Sequence, residues 1–220
     1  MDNLKTIAED IRAELNAKNA AREHALTTSR EVIRLSANAI RAVHREEFVD
    51  ARELMDKARA KVVETRDALK SQLDIYFTGY VQDAQKEYAE SELTSAIVQD
   101  RPMPSHKELG VECAAYLNGL GEAIGECRRH ALDIIRLGQL VRAEKLLQIM
   151  DDAYYMLVTF DYPDALTSGL RRTTDMVRGV LERTRGDLTV TIRQQELEQA
   201  IEKAVGRLDI ERSGKTQERD

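Results

Sequence analysis

Four glutamates carry the strongest chemical signal in this sequence. Glu87 and Glu90 stand three residues apart in KEYAES, and Glu122 and Glu126 stand four apart in GEAIGE. On a helix either spacing puts both carboxyl groups on one face, with Cβ atoms roughly 5–6 Å apart. Like charges so placed repel unless a cation lies between them. A turn centred near residue 104 puts Glu87 level with Glu122, so the two pairs face each other across one seam. Four oxygen ligands inside a helical bundle form a hard-cation site of the kind that suits Mg²⁺ or Mn²⁺. Such an ion activates water and neutralises a phosphoryl transition state. Solvated surface charge is the competing reading, because 39 acids guarantee many such pairs. Gly119, Gly121 and Gly125 lie beside the second pair. Each costs a helix about 1 kcal/mol against Ala, and each lets another helix or backbone approach closely. A further turn near residue 139 puts Asp152 level with Glu126. Asp152 is therefore a supporting candidate, although an exposed helical acid is the favoured reading for it.

The basic residues form a separate pattern. Arg30, Arg34 and Arg41 fall on one helical stripe, and His44 follows three residues later. A stripe of this kind can track a phosphate backbone or pair with acids on a neighbouring helix. Arg128-Arg129 and Arg171-Arg172 are weaker candidates. Cys113 and Cys127 are separated by about 21 Å along one helix, too far to pair or to share a metal, so they read as small buried residues. No histidine follows a glutamate by three residues, which removes the ligand pair of di-iron bundles. HExxH, P-loop, GxSxG and GxGxxG motifs are also absent.

The elements that must hold these residues read as helices throughout. Leu4, Ile7, Ile11 and Leu15 repeat on a 3.6-residue period, and Val32, Ile33, Ile40 and Val43 resume the stripe. One helix is expected over 3–45, a second over 47–74 and a third over 76–99. The two prolines of QDRPMPSH interrupt the pattern. A fourth helix follows over 107–137, with Gly138 as a left-handed stop. A fifth runs to 159, a sixth to 185, and a seventh to 208 after a break at Gly186-Asp187. The expectation is an all-α fold: a single elongated bundle of about seven antiparallel helices over 1–208, with a polar, disordered tail over 209–220. Composition agrees. The 220 residues include 3 Pro and no Trp, and aromatics are 5%, poor material for sheets. The 33 basic and 39 acidic residues give a net charge of −6. That argues against general nucleic-acid binding, which needs a basic surface, yet it allows a basic face inside an acidic shell. The longest uncharged apolar run, Tyr154 to Phe160, is far short of the ~20 residues of a membrane span. The charged N-terminus is no secretory signal, so a cytoplasmic location is expected.

Residues within these segments also carry a family resemblance. GVECAAYLNGLGEAIGECRRHAL resembles the translin and translin-associated factor X family, through Tyr116, Leu117, Gly119, Glu122, Gly125, Glu126 and Arg129. KEYAES resembles the Gln-Glu-Tyr-Val-Glu-Ala run of the factor X branch, and Ser29, Arg30 and His44 match its first-helix spacing. The likeness spans about residues 20–205. It implies a translin-like domain and a hollow oligomer, commonly an octamer, that encloses RNA. For the factor X branch it implies a metal-dependent endoribonuclease whose acids fall on Glu87, Glu90, Glu122 and Glu126. Arg129 would hold a carboxylate or the phosphate. Position 122 is usually Asp in that branch, one methylene shorter than the Glu here. The translin branch binds nucleic acid through a basic, His-bearing stretch before its third helix. Here that stretch, Asp74 to Gln82, has no His, Lys or Arg, which favours the factor X branch. The compact connection between the third and fourth helices is similar to that of prokaryotic, archaeal members that self-assemble. RNA is the implied partner, single-stranded DNA a second one, and Mg²⁺ or Mn²⁺ the implied cofactor.

Overall fold

The computed structural model describes the backbone of residues 2–217 and the side chains of residues 3–207. Among the described residues there are nine helices and no strand. In order they are α1 (Asp2–His44), α2 (Phe48–Ala68), α3 (Leu73–Tyr76), α4 (Gly79–Val98), α5 (His106–Leu109), α6 (Cys113–Arg136), α7 (Leu140–Leu157), α8 (Asp164–Thr167) and α9 (Leu170–Gln217). The all-α expectation holds. Among the described residues no helix is long and apolar enough to cross a membrane.

Several boundaries differ from the periodicity reading: α2 ends at Ala68, before a separate α3, and the short α8 precedes α9. The expected helix over 107–137 divides at Gly110, whose φ of 70° ends α5 in the left-handed region. Ser105 and Glu108 start that short helix with a reciprocal capping box. Conversely, Gly186-Asp187 does not break α9. Val177, Leu181, Thr184 and Leu188 keep one buried stripe running through it, and Asp187 is tied to Arg128 of α6 at 2.8 Å. Tertiary contact thus outweighs the roughly 1 kcal/mol helix cost of one glycine. The polar segment over 209–220, expected to be disordered, has a helical backbone through Gln217, and its last three residues lie outside the described residues.

Helix α4 sits at the centre. Every residue from Tyr88 to Val98 is buried, and between Glu92 and Gln99 the sequence is only Leu, Thr, Ser, Ala, Ile and Val. A helix without a solvated face must be wrapped on all sides, and α1, α2, α6 and α7 wrap it. Buried Glu92 is matched within this packing. It takes two hydrogen bonds from Arg52 of α2, at 2.6 and 2.9 Å, and one from the Tyr88 hydroxyl.

The direction of packing corrects the expectation that successive helices run antiparallel. Near the start of α4, the Gln85 side chain accepts a hydrogen bond from the Glu112 amide, just before α6. Near the end of α4, Ile97 and Val98 share a wall with His130 and Ile134, near the end of α6. Helices α4 and α6 therefore run in the same sense. Residues 99–112 carry the chain back along the bundle to make this possible, with Pro104 held by the Tyr116 hydroxyl on the way. Helices α6 and α9 are also parallel: Thr173 meets Asn118, and Asp187 meets Arg128 further along both. Short connections do make α1 and α2, and α6 and α7, antiparallel pairs.

Candidate metal centre and its surroundings

The site begins at a missing side chain. Gly119 is one turn before Glu122 on the face of α6 that meets α4. A Cβ there would lie 2.7 Å from the Lys86 carbonyl oxygen, 3.0 Å from the Ala89 Cβ and 3.1 Å from the Glu90 amide nitrogen. Two of those neighbours are backbone and cannot turn away. Glycine at this position lets α6 lie against α4, and that close approach brings the glutamates together. Gly121 does the same against Thr173 of α9, whereas a Cβ on Gly125 would meet nothing within 4 Å. Replacing Gly119 by Ala is expected to destabilise the fold by about 1–3 kcal/mol through overpacking. Gly125→Ala should instead stabilise it by up to about 1 kcal/mol through helix propensity. Urea denaturation of the two variants checks both signs.

Glu87, Glu90 and Glu122 each place a carboxylate oxygen within 4.8 Å of one another. Glu87 and Glu122 are thus level as expected, but across parallel helices and not across an antiparallel turn. On parallel helices, Glu87 and Glu90 rise together with Glu122 and Glu126. Glu90 is the innermost, 8% exposed, and among the described residues no hydrogen bond or ion pair reaches it. Burial, and then the charges of Glu87, Glu122 and Glu126, push its carboxyl up to about 9. Burial also raises Glu87.

Glu126 stands at the edge and outside this three-carboxylate group. Its Oε2 accepts a 2.5 Å hydrogen bond from His44 Nε2 at the end of α1. That bond holds the Glu126 carboxyl below its ordinary range in spite of burial. The His44 side chain is 4% exposed, and its Nδ1 is buried without a hydrogen-bond partner. In the sequence His44 stands out only as a continuation of the arginine stripe and as a spacing match. No helical-wheel argument could have put it across from Glu126, on another element 82 residues away.

Lys86 is the residue the spacing argument missed. Its Nζ lies 2.7 Å from Glu122 Oε1 and 3.6 Å from Glu87 Oε1, and its side chain is 21% exposed. Burial works against the ammonium, but its bond and charge interaction with Glu122 and the nearby Glu87 outweigh this and raise its proton affinity. The only sequence sign was its place beside Glu87, which reads equally as an ordinary solvated neighbour. Lys86 and Glu122 also line a cleft of about 410 Å³ shared with Asp83, Asn118, Arg172 and Thr173.

The other candidates are more peripheral. Arg30, Arg34 and Arg41 are exposed on α1. Arg34 is 3.9 Å from Glu31 of its own helix, and Arg41 donates to Asn38. Among the described residues no acid of another helix pairs with them. Arg129 is exposed and reaches Glu126 at 4.0 Å. Asp152 is turned to solvent, where it accepts a hydrogen bond from Gln148. It does not join the carboxylate group, because the inward stripe of α7 is Ala143, Leu146, Met150 and Ala153.

The donor set suits a hard divalent cation. All three candidate donors are carboxylate oxygens, and Glu90, buried and without a partner among the described residues, is costly as an anion until a cation compensates it.

No protein-family model matches the chain. It is 34% identical over 188 residues to an uncharacterized protein of Methanocaldococcus jannaschii, across 84% of this chain and 83% of that protein. The fold is similar to AfC3PO solved in complex with duplex RNA, at 32% identity and a TM-score of 0.79. That match covers 85% of this chain and 97% of the other. A crystal structure of AfC3PO alone gives 33% identity and the same TM-score and coverage. Apo-NeC3PO, at 21% identity and a TM-score of 0.71 over 87% of this chain and 98% of the other, shares the fold. The C3PO chains are translin-like, and their agreement in fold with the residues along α1, α4 and α6 leads to one conclusion: the chain belongs to the translin and translin-associated factor X family.

Proposed function

We propose that this protein is a self-assembling, RNA-binding endoribonuclease that encloses RNA in a hollow oligomer, an octamer, and depends on Mg²⁺ or Mn²⁺. The observation that carries this reading is the convergence of Glu87, Glu90 and Glu122 around a buried carboxyl with no partner. Glu87, Glu90 and Glu122 would hold the ion, with Glu126 beside them. When bound, the ion supplies Lewis-acid activation of water and neutralisation of phosphoryl charge. The chain's own groups do the rest. His44 fixes the Glu126 carboxylate, Gly119 fixes the distance between the two acid-bearing helices, and Arg129 lies at the edge to steady a phosphate. AfC3PO's complex with duplex RNA supports RNA as the substrate class. Two exposed apolar stripes support assembly: Leu4, Ile7, Ile11 and Leu15 on α1, and Val190, Leu197, Ile201 and Val205 on α9. Uncovered stripes of this kind are suited to contact between copies. A cytoplasmic location belongs to the same proposal.

The test combines light scattering with labelled duplex RNA. The expected mass is eight times the 24.9 kDa chain, with RNA cut only when Mn²⁺ or Mg²⁺ is present. Binding should weaken with salt as phosphate contacts are lost, and replacing Arg30 and Arg34 by Ala should flatten that slope. An unchanged slope would remove the α1 stripe from the RNA surface. A monomer that binds no RNA would defeat the whole reading and leave a helical scaffold. A second reading, a non-catalytic shell that binds RNA and single-stranded DNA, draws on Lys86, whose ammonium already answers part of the cluster's charge. RNA binding without metal-dependent cleavage would favour it.

A further inference from the structure

We propose that Lys86 is the resident counter-cation of the glutamate cluster, and that a divalent ion binds by displacing its ammonium into the adjoining cleft. This inference rests on the metal reading above and concerns what that site contains before the ion arrives.

The geometry places one cation where another must go. Lys86 Nζ hydrogen-bonds Glu122 at 2.7 Å and lies 3.6 Å from Glu87. These are two of the three carboxylates that converge. An oxygen that coordinates a divalent ion cannot keep a full hydrogen bond to an ammonium on the same side. Two positive centres that close also repel strongly in a half-buried site. One ammonium is, however, an incomplete answer to three acids. It leaves Glu90, the most buried of them, without a partner. A divalent ion brings twice the charge and reaches all three.

The protein has room for the exchange. Lys86 is held to its helix by a flexible four-carbon stem, and it lines the cleft of about 410 Å³ together with Glu122. Asp83 stands in the same cleft, one helical turn before Lys86. An outward turn of Lys86 keeps its charge solvated and close to an acid while it frees Glu122 and Glu87. Lys86 is thus a competitor built into the site. It holds metal affinity below what three bare carboxylates would give and keeps α4 and α6 together when no ion is bound.

Mn²⁺ binding to the full chain tests this, read from the loss of the free-ion electron paramagnetic resonance signal at one fixed pH. Parent, Lys86→Met and Lys86→Arg are compared, with Lys86→Gln in place of Lys86→Met if circular dichroism shows that the Met variant does not fold. The expected result is Mn²⁺ affinity at least about tenfold tighter for the neutral variant, and near the parent's for Lys86→Arg. Binding by the neutral variant alone gives the same support. Parent-like or weaker affinity in the neutral variant overturns the displacement proposal and leaves the metal site standing. An equal gain in Lys86→Arg also overturns it, since charge would not then be the cause. Binding to none of the chains overturns the metal reading and this proposal with it.

Discussion

Glu87→Gln and Glu122→Gln should each lose at least about a hundredfold in RNA cleavage rate under single-turnover conditions with saturating RNA and Mn²⁺. That is the scale on which removing one electrostatic or metal-orienting group acts. Glutamine keeps the size of the side chain and one oxygen donor, so assembly and RNA binding should remain within about twofold of the parent, because the RNA contacts proposed on α1 are separate. Neither change should lower thermal stability in metal-free buffer, since each removes one of the charges that crowd Glu90. The two variants differ in one respect. Glu122→Gln also takes away the closest partner of Lys86, so its stability gain should be the smaller. Cleavage at the parent rate by both variants would make the glutamates ordinary bundle acids and promote the binding-shell reading.

The second large effect is on stability and pH. Glu90 binds its proton with an affinity near 9 in the fold, against an ordinary value of 4.5, because it is buried among like charges. Between those limits the folded chain holds more protons than the unfolded chain, so stability falls as pH rises. The contribution is complete below about pH 4.5 and is lost as the pH passes through about 9. Metal-free parent protein should therefore lose on the order of 2–4 kcal/mol between pH 6 and pH 9 from this group, roughly 5–10 °C in Tm. Glu90→Gln should lack that component and overtake the parent on the alkaline side. Mn²⁺ should restore the parent at pH 8 by mass action and have a much smaller effect on Glu90→Gln. Melting curves of the two chains at pH 6, 8 and 9, with and without Mn²⁺, check all four expectations. Parallel pH profiles would show that Glu90 is not the group that titrates.

The sequence exposed some parts of this site and hid others, for physical reasons. Glu87 and Glu90, and Glu122 and Glu126, were legible because i,i+3 and i,i+4 spacings fix side chains on one helical face without further knowledge. Gly119 was legible as an anomaly, a costly residue inside a strong helix. Which face met which was not. The antiparallel assumption came from connection length, and residues 99–112 use that length to run back along the bundle. Lys86 and His44 were hidden because an ion pair or a histidine–carboxylate bond between elements depends on rotation about two helix axes, which spacing on one helix does not contain. The uninterrupted α9 was hidden behind Gly186 for a related reason. The anchor that keeps it helical, Asp187 to Arg128, belongs to another element. Asp152 takes the exposed of its two readings, because the buried Ala143, Leu146, Met150 and Ala153 stripe, which level alone does not reveal, sets the rotation of α7.

The parallel course of α4 and α6 has a consequence for how this scaffold tolerates change. In a tight helical hairpin, the loop decides which residues on the two arms are level, and adding to it risks shifting the arms past one another. Here the relative height of the two acid-bearing helices is set inside the bundle, by Gly119 against the backbone of Lys86 and Glu90. The strap over 99–112 returns the chain to its starting end; its Leu109 and Val111 pack into the core, while Arg101, Pro102 and Met103 are exposed. Residues added there lengthen the return path at the small entropic expense of a longer loop and leave the carboxylates opposite the same neighbours. The exposed stretch over 101–103 is thus the place where length can vary around a centre whose geometry is held elsewhere.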